Sequence, residues 1–284
     1  MNKVGVNLFG TAKWLGGDFG EKLDKLKDIG VTSVEPTIIF SSALPMMDEE
    51  RRKGTKEKLG FRSNSVWFEC EAGDRVNLIR EHGLDIISVH IMEGIAPAEL
   101  LTALIPAFRE FGEKYDVKYF VISCSQSSIE EMDKVIPALN QIAEALKSDG
   151  RCLVYHNHHQ ECVTVNGKTV LDHVMEQCPD VMLELDVGWA QYAGASAVEF
   201  MRKYRGRLVL LHLKDYLAGA TPETIDQSFT AIGEGCIPLK EILREAKACD
   251  LEENAVIIDQ DDSMGDIFAD FAVGVKNIAA ILES

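Results

Sequence analysis

The chain has 284 residues, 46% hydrophobic and 26% charged, close to the average of folded domains and far from a disordered or fibrous chain. At this length about three quarters of the unfolded surface is buried on folding, so no disulfide or metal is needed merely to hold a core. Twenty-nine basic against 46 acidic residues leave a net charge of −17, which repels phosphate backbones and argues against nucleic acid as a partner.

No apolar run approaches the ~20 residues of a membrane span, so no membrane partner is expected. The first residues run straight into a strand pattern without the charged and apolar regions of a secretory signal. The seven cysteines are scattered and form no Cys-x-x-Cys pair, which fits free thiols in a reducing cytoplasm.

In chain order, short apolar runs alternate with amphipathic stretches. Strands are expected at 4–9, 31–37, 85–91, 118–123, 151–157, 181–187, 208–213 and 255–260. Helical patterns lie between and after them, at 19–29, 73–82, 97–115, 129–148, 170–178, 195–204, 238–248 and 264–282. Gly30, Gly83 and Gly150 stand where helices should stop. The strands are continuous apolar runs, as strands buried on both faces should be. Eight strand–helix units at roughly 30-residue spacing predict one (β/α)8 TIM barrel across residues 1–284. A doubly wound sheet is the alternative, but its Gly-rich phosphate turn is missing after the first strand. The long segment 38–72 carries a charge run, Asp48 to Lys53. It reads either as a cap over the barrel mouth or as a solvated excursion.

In a barrel the chemistry lies at the C-terminal ends of the strands. Those ends are Val34-Glu35-Pro36, Val89-His90-Ile91, the run from Tyr155 to Glu161, Glu184-Leu185-Asp186, His212-Leu213-Lys214-Asp215 and Asp259-Gln260-Asp261-Asp262. Five of the seven histidines fall there. With a side-chain period of two, His156 shares a face with His158, Glu184 with Asp186, His212 with Lys214, and Asp259 with Asp261. If these faces point into the mouth, imidazoles and carboxylates converge from four strands, a donor set that suits Mn²⁺, Co²⁺, Zn²⁺ or Fe²⁺. Each residue also has a plainer reading. A strand-end histidine is often a core residue, and Glu184 reads as an ion-pair partner, with Lys214 as its mate. Asp262 and Asp266 read as helix caps, and Asp215 as a solvated loop residue.

These segments, with Gly188-Trp189-Ala190 and Gly233-Glu234-Gly235, resemble in order and nearly end to end the xylose isomerase-like TIM barrels, the sugar phosphate isomerase/epimerase group. The resemblance implies one divalent cation (Mn, Co, Zn or Mg) in the mouth, held by Glu, Asp, His and Glu from strands five to eight. Here those positions are His156, Asp186, His212 and Asp259. The first and last depart from the family's glutamates, which in its epimerases also shuttle the proton. The Tyr-His-Asn-His and Asp-Gln-Asp segments are more similar to the inosose dehydratase branch.

The expected function is a metal-dependent sugar or cyclitol isomerase or epimerase, working by proton abstraction next to a carbonyl and a stabilised enediolate. The alternatives are a dehydratase on the same site and a barrel that only binds a sugar-like ligand. An apurinic-site endonuclease is disfavoured by the charge. Glu35, His158 and Lys214 are the candidate acid–base groups. His90, Trp14, Glu161 and Gln260 are candidate substrate contacts, with Trp14 equally readable as core. The expected partner is a small sugar or cyclitol. Association into a homo-oligomer is compatible with the fold.

Overall fold

The structure is a computed structural model describing residues 3–283. Eight parallel strands form its centre: β1 (Val4–Asn7), β2 (Val31–Glu35 continued by Thr37–Ile39), β3 (Asp85–Ile86 continued by Ser88–Ile91), β4 (Tyr119–Ile122), β5 (Cys152–His156), β6 (Met182–Asp186), β7 (Leu208–Leu213) and β8 (Val256–Ile258). Each pairs in parallel with its neighbour, and β8 pairs back onto β1. The sheet therefore closes as a (β/α)8 barrel, the class expected from the spacing.

Two strands expected to be continuous are each broken in two. Pro36 has no N–H to give to a ladder and splits β2, while β3 breaks at Ile87, which donates instead to the Val34 carbonyl.

The outer helices are α1 (Phe19–Asp28), α2 (Glu69–Glu81), α3 (Ile105–Tyr115), α4 (Ile136–Ser148), α5 (Val170–Gln177), α6 (Ala197–Lys203), α7 (Leu239–Ala248) and α8 (Ile267–Glu283). Their buried residues follow the helical period: Leu239, Ile242, Leu243 and Ala246 in α7, for example. Asp18 caps α1 by accepting the Gly20 and Glu21 N–H groups. Stretches 97–115 and 129–148 each divide into a short helix and a longer one, because Pro106 and Pro137 sit in the first turn of a new helix. Among the described residues no helix is long and apolar enough to cross a membrane.

Segment 38–72 is more ordered than a loop. It forms an exposed helix (Glu49–Leu59) and a short strand (Val66–Phe68) paired in parallel with the outer half of β2. It thereby extends the barrel wall at the mouth.

The inward-facing positions are layered. Val121, Val154, Leu210 and Ile257 belong to an apolar plug that fills the lower barrel. Two residues further along the same strands stand Ser123, His156, His212 and Asp259. The alternation that buries the plug thus places a polar layer directly above it.

Candidate active site

The polar layer is dense and buried. His156, Glu184, Asp186 and His212 are 3% exposed or less. The ligand atoms of His156, Asp186, His212 and Asp259 all lie within 4.8 Å of one another, and so do those of His90, His156, Glu184 and His212. The two groups share two histidines and lie on opposite sides of them. On the upper side His212 Nδ1 is 3.1 Å from Asp259 Oδ2, and Lys214 Nζ lies 2.9 Å from Asp259, 2.5 Å from Asp261 and 3.9 Å from Asp186. On the lower side His212 Nε2 donates to Glu35 at 2.8 Å, and His156 Nδ1 and His90 Nε2 donate to Glu184 at 3.0 and 3.1 Å.

Above this floor opens a cavity of about 270 Å³, at the small end for ligand sites. One wall is apolar, with Phe9, Met92, Ile95 and Trp189; the other is polar, with Ser123, His158 and Asp261. Trp189 belongs to the short helix Val187–Tyr192, which Asp186 caps by accepting the Trp189 N–H at 2.7 Å. Gly188 permits this turn, because a Cβ there would collide with the Lys214 carbonyl oxygen.

Burial and neighbours set the charges. Burial pushes the Asp186 carboxyl up to about 7, against the pull of Lys214. Its Oδ2 is buried without a hydrogen-bond partner, which is costly unless something else occupies that position. Burial also lowers His156 to about 4 and His158 to about 3, so both are neutral at pH 7. For His90 burial is outweighed by Glu35 and Glu184, which raise it to about 10. Lys214 keeps its proton above the usual lysine range, because Asp259, Asp261 and Asp186 outweigh its burial.

Among the other sequence candidates, His90 and His158 line the cavity. Ser123 Oγ lies 2.8 Å from His158 Nδ1 and fixes that ring. Glu35, expected as an acid–base group, is fully buried below the floor, bonded to Asn7, Ser88 and His212. Trp14, Glu161 and Gln260 do not line the cavity. Trp14 packs against the hydrophobic core. The Glu161 carboxylate, raised to about 7 by burial, accepts from Tyr155 Oη and the His158 N–H. Gln260 donates to Asp270 on α8.

Three plainer readings are corrected. Asp215 is buried and accepts the N–H groups of Gly233, Gly235 and Ile237, pinning that loop. Glu184 pairs with histidines of β3, β5 and β7 rather than with Lys214. Its place in the floor was marked in the sequence only by the period it shares with Asp186. Asp266 does cap α8, accepting the Phe268 N–H, while Asp262 pairs with Lys13.

The profile of the xylose isomerase-like TIM barrel family matches residues 23–266. An inosose dehydratase of Clostridium beijerinckii is 26% identical over 168 residues, 49% of this chain and 56% of that protein. The chain spans about half the length of the curated relatives it matches. A sugar phosphate isomerase/epimerase from Parabacteroides distasonis superposes with a TM-score of 0.71 at 21% identity, over 99% of this chain and 95% of that one. A xylose isomerase-like TIM barrel protein from Mycobacterium smegmatis, solved in complex with magnesium, gives 0.65 at 13% identity over 99% and 96%. Closed barrel, polar mouth and family profile agree: this chain belongs to the xylose isomerase-like TIM barrel family.

Proposed function

We propose that this protein is a divalent-metal-dependent enzyme that removes a proton next to the carbonyl of a small neutral polyol and then expels a hydroxyl as water, a dehydratase of the inosose type. The observation that carries this is the buried convergence of His156, Asp186, His212 and Asp259 beneath a small cavity, with Asp186 Oδ2 left without a hydrogen bond.

Two imidazoles and two carboxylates fit Mn²⁺, Co²⁺, Zn²⁺ or Mg²⁺, and these four residues would hold it. A cation bound there supplies positive charge that polarises a carbonyl or hydroxyl oxygen. His158 is neutral, lines the cavity and is held by Ser123, so it is placed to accept the substrate's proton, with a basicity so low that it asks for a strongly acidified substrate C–H. His90 also lines the cavity and keeps its proton at pH 7, so it can protonate the leaving hydroxyl. Lys214, tied to Asp259 and Asp261, is a fixed charge in this scheme rather than a proton carrier.

One neutral base and one protonated donor serve elimination and two-base epimerisation alike; the partial sequence match to inosose dehydratases favours elimination. Among the described lining residues the charged carboxylates are Asp259 and Asp261, and no lysine or arginine faces the cavity, which favours a ligand without phosphate. The isomerase/epimerase reading shares the first proton abstraction and rests on the fold likeness.

The test is to load the protein with Mn²⁺ or Co²⁺ and incubate it with a panel of inososes and keto-sugars. A product lighter by one water, with a new conjugated-carbonyl absorbance, supports the dehydratase. A product of unchanged mass selects the isomerase. Ligand binding without turnover by the loaded protein sinks both in favour of a binding barrel.

A further inference from the structure

Glu184 and Glu35 lie beneath the proposed metal ligands, are fully buried and cannot touch a substrate. We propose that Glu184, supported by Glu35, is a positioning residue that decides which nitrogen of His156 and His212 faces the mouth. This rests on the metal-site reading above.

A neutral imidazole has one N–H and one lone pair, and a carboxylate only accepts. Glu184 Oε2 faces His156 Nδ1 at 3.0 Å and His90 Nε2 at 3.1 Å, and its Oε1 faces His212 Nε2 at 3.3 Å. Glu35 Oε1 faces His212 Nε2 at 2.8 Å and also accepts from Asn7 Nδ2 at 2.7 Å. The protons therefore sit on His156 Nδ1 and His212 Nε2. The lone pair of His156 is left on Nε2; His212 Nδ1 faces Asp259 Oδ2 at 3.1 Å and so carries a second proton in the metal-free protein, which a cation bound in the mouth would displace. Carboxylates behind ligating histidines fix ring orientation and raise ligand basicity in this way.

The competing assignment is a second cation among His90, His156, Glu184 and His212, whose ligand atoms are equally close. Filling both sides at once would strip both N–H protons from His156 and His212, because each neutral ring offers one lone pair. A single cation on the lower side, where Glu184 Oε1 is also without a hydrogen bond, would reverse both tautomers, so the nitrogen-15 readout decides which side carries the protons.

The experiment titrates Co²⁺ into metal-free wild type, Glu184→Gln and Glu35→Gln, reading calorimetry and the visible cobalt band. Nitrogen-15 NMR of the histidines in Zn²⁺-loaded wild type reads the tautomers. Glu184 Oε2 accepts from His156 and His90, while Oε1 stands 3.3 Å from His212 Nε2 without a hydrogen bond, so in Glu184→Gln the neutral amide either loses the Oε2 acceptor or brings its NH₂ against the His212 Nε2–H. Glu184→Gln is expected to weaken Co²⁺ binding 10–100-fold and to alter the cobalt band, while the metal-free variant still melts cooperatively. Glu35→Gln keeps Oε1 as acceptor and should weaken binding less. The NMR should place protons on His156 Nδ1 and His212 Nε2.

Wild-type affinity in Glu184→Gln, the opposite tautomers, or two equivalents of cobalt in wild type would each overturn the positioning role. The absence of cobalt uptake by wild type would overturn the metal site itself, and the positioning role with it. If Glu184→Gln does not fold, the wild-type tautomers and Glu35→Gln still decide.

Discussion

Asp186→Asn separates a metal ligand from a residue that merely holds the fold. In the metal-free protein the Asp186 carboxyl is raised to about 7, chiefly by burial. Relative to an ordinary aspartate this sets about 4 kcal/mol against its ionised form. The folded state then binds a proton that the unfolded chain has released, so stability falls as pH rises from about 4 to about 7 and is flat above. Asparagine removes the charge and keeps an oxygen to accept the Trp189 N–H. At pH 8 the metal-free variant should therefore be more stable than wild type by about 1–4 kcal/mol, a rise of several degrees in melting temperature. Added Mn²⁺ or Co²⁺ at a hundred times its Kd should stabilise wild type by about 2.7 kcal/mol and leave the variant almost unmoved. Melting curves with and without chelator read both effects. A metal-free variant that melts below wild type, or one that gains as much from metal as wild type does, refutes the reasoning.

Other outcomes follow from the same geometry. Lys214→Met leaves Asp259 and Asp261 without their buried cation and should cost about 3–5 kcal/mol at pH 8, read by urea denaturation; an unchanged midpoint would remove Lys214 from the charge balance. Metal affinity should rise with pH through about 7, where Asp186 loses its proton, and keep rising above it, because His212, held protonated by Glu184, Glu35 and Asp259, must give up its Nδ1 proton to bind. Cation binding should therefore release protons, visible by calorimetry in buffers of different ionisation enthalpy. Asp215→Ala removes the acceptor of three loop N–H groups and should speed hydrogen exchange across residues 231–237 while the barrel strands stay protected. Gly188→Ala drives a methyl against the Lys214 carbonyl and should lower stability by about 1–3 kcal/mol and weaken metal binding, since Asp186 caps that same turn.

Much of this molecule is legible in one dimension because barrel physics is periodic. Strands buried on both faces are apolar throughout, helices repeat every 3.6 residues, and chemistry gathers at one end of every strand. That is enough to place the eight units and to put His156, Asp186, His212 and Asp259 on converging faces. Three kinds of feature escaped. Pro106 and Pro137 look like helix interiors in a periodic run, yet each opens a new helix. Val66–Phe68 is too short to announce itself, and its partner is the outer half of β2, far away in sequence. Gln260, Glu161 and Trp14 share the strand-end neighbourhood, but their side chains leave it for α8, for a capped turn and for the core.

The sequence by itself determined the barrel, the polar ends of its strands and the residue types gathered there, because all of these follow from local period and composition. Only the tertiary structure decided who faces whom. Glu35 is separated from His212 by 177 positions, and Glu184 from His90 by 94. Their pairing depends on the register of separate strands and on the closure of β8 onto β1. That closure turns Glu184 from an expected partner of Lys214 into the hub beneath three imidazoles. It also takes Glu35 out of reach of any ligand, because burial and hydrogen-bond partners belong to the folded cross-section and not to the order of residues along the chain.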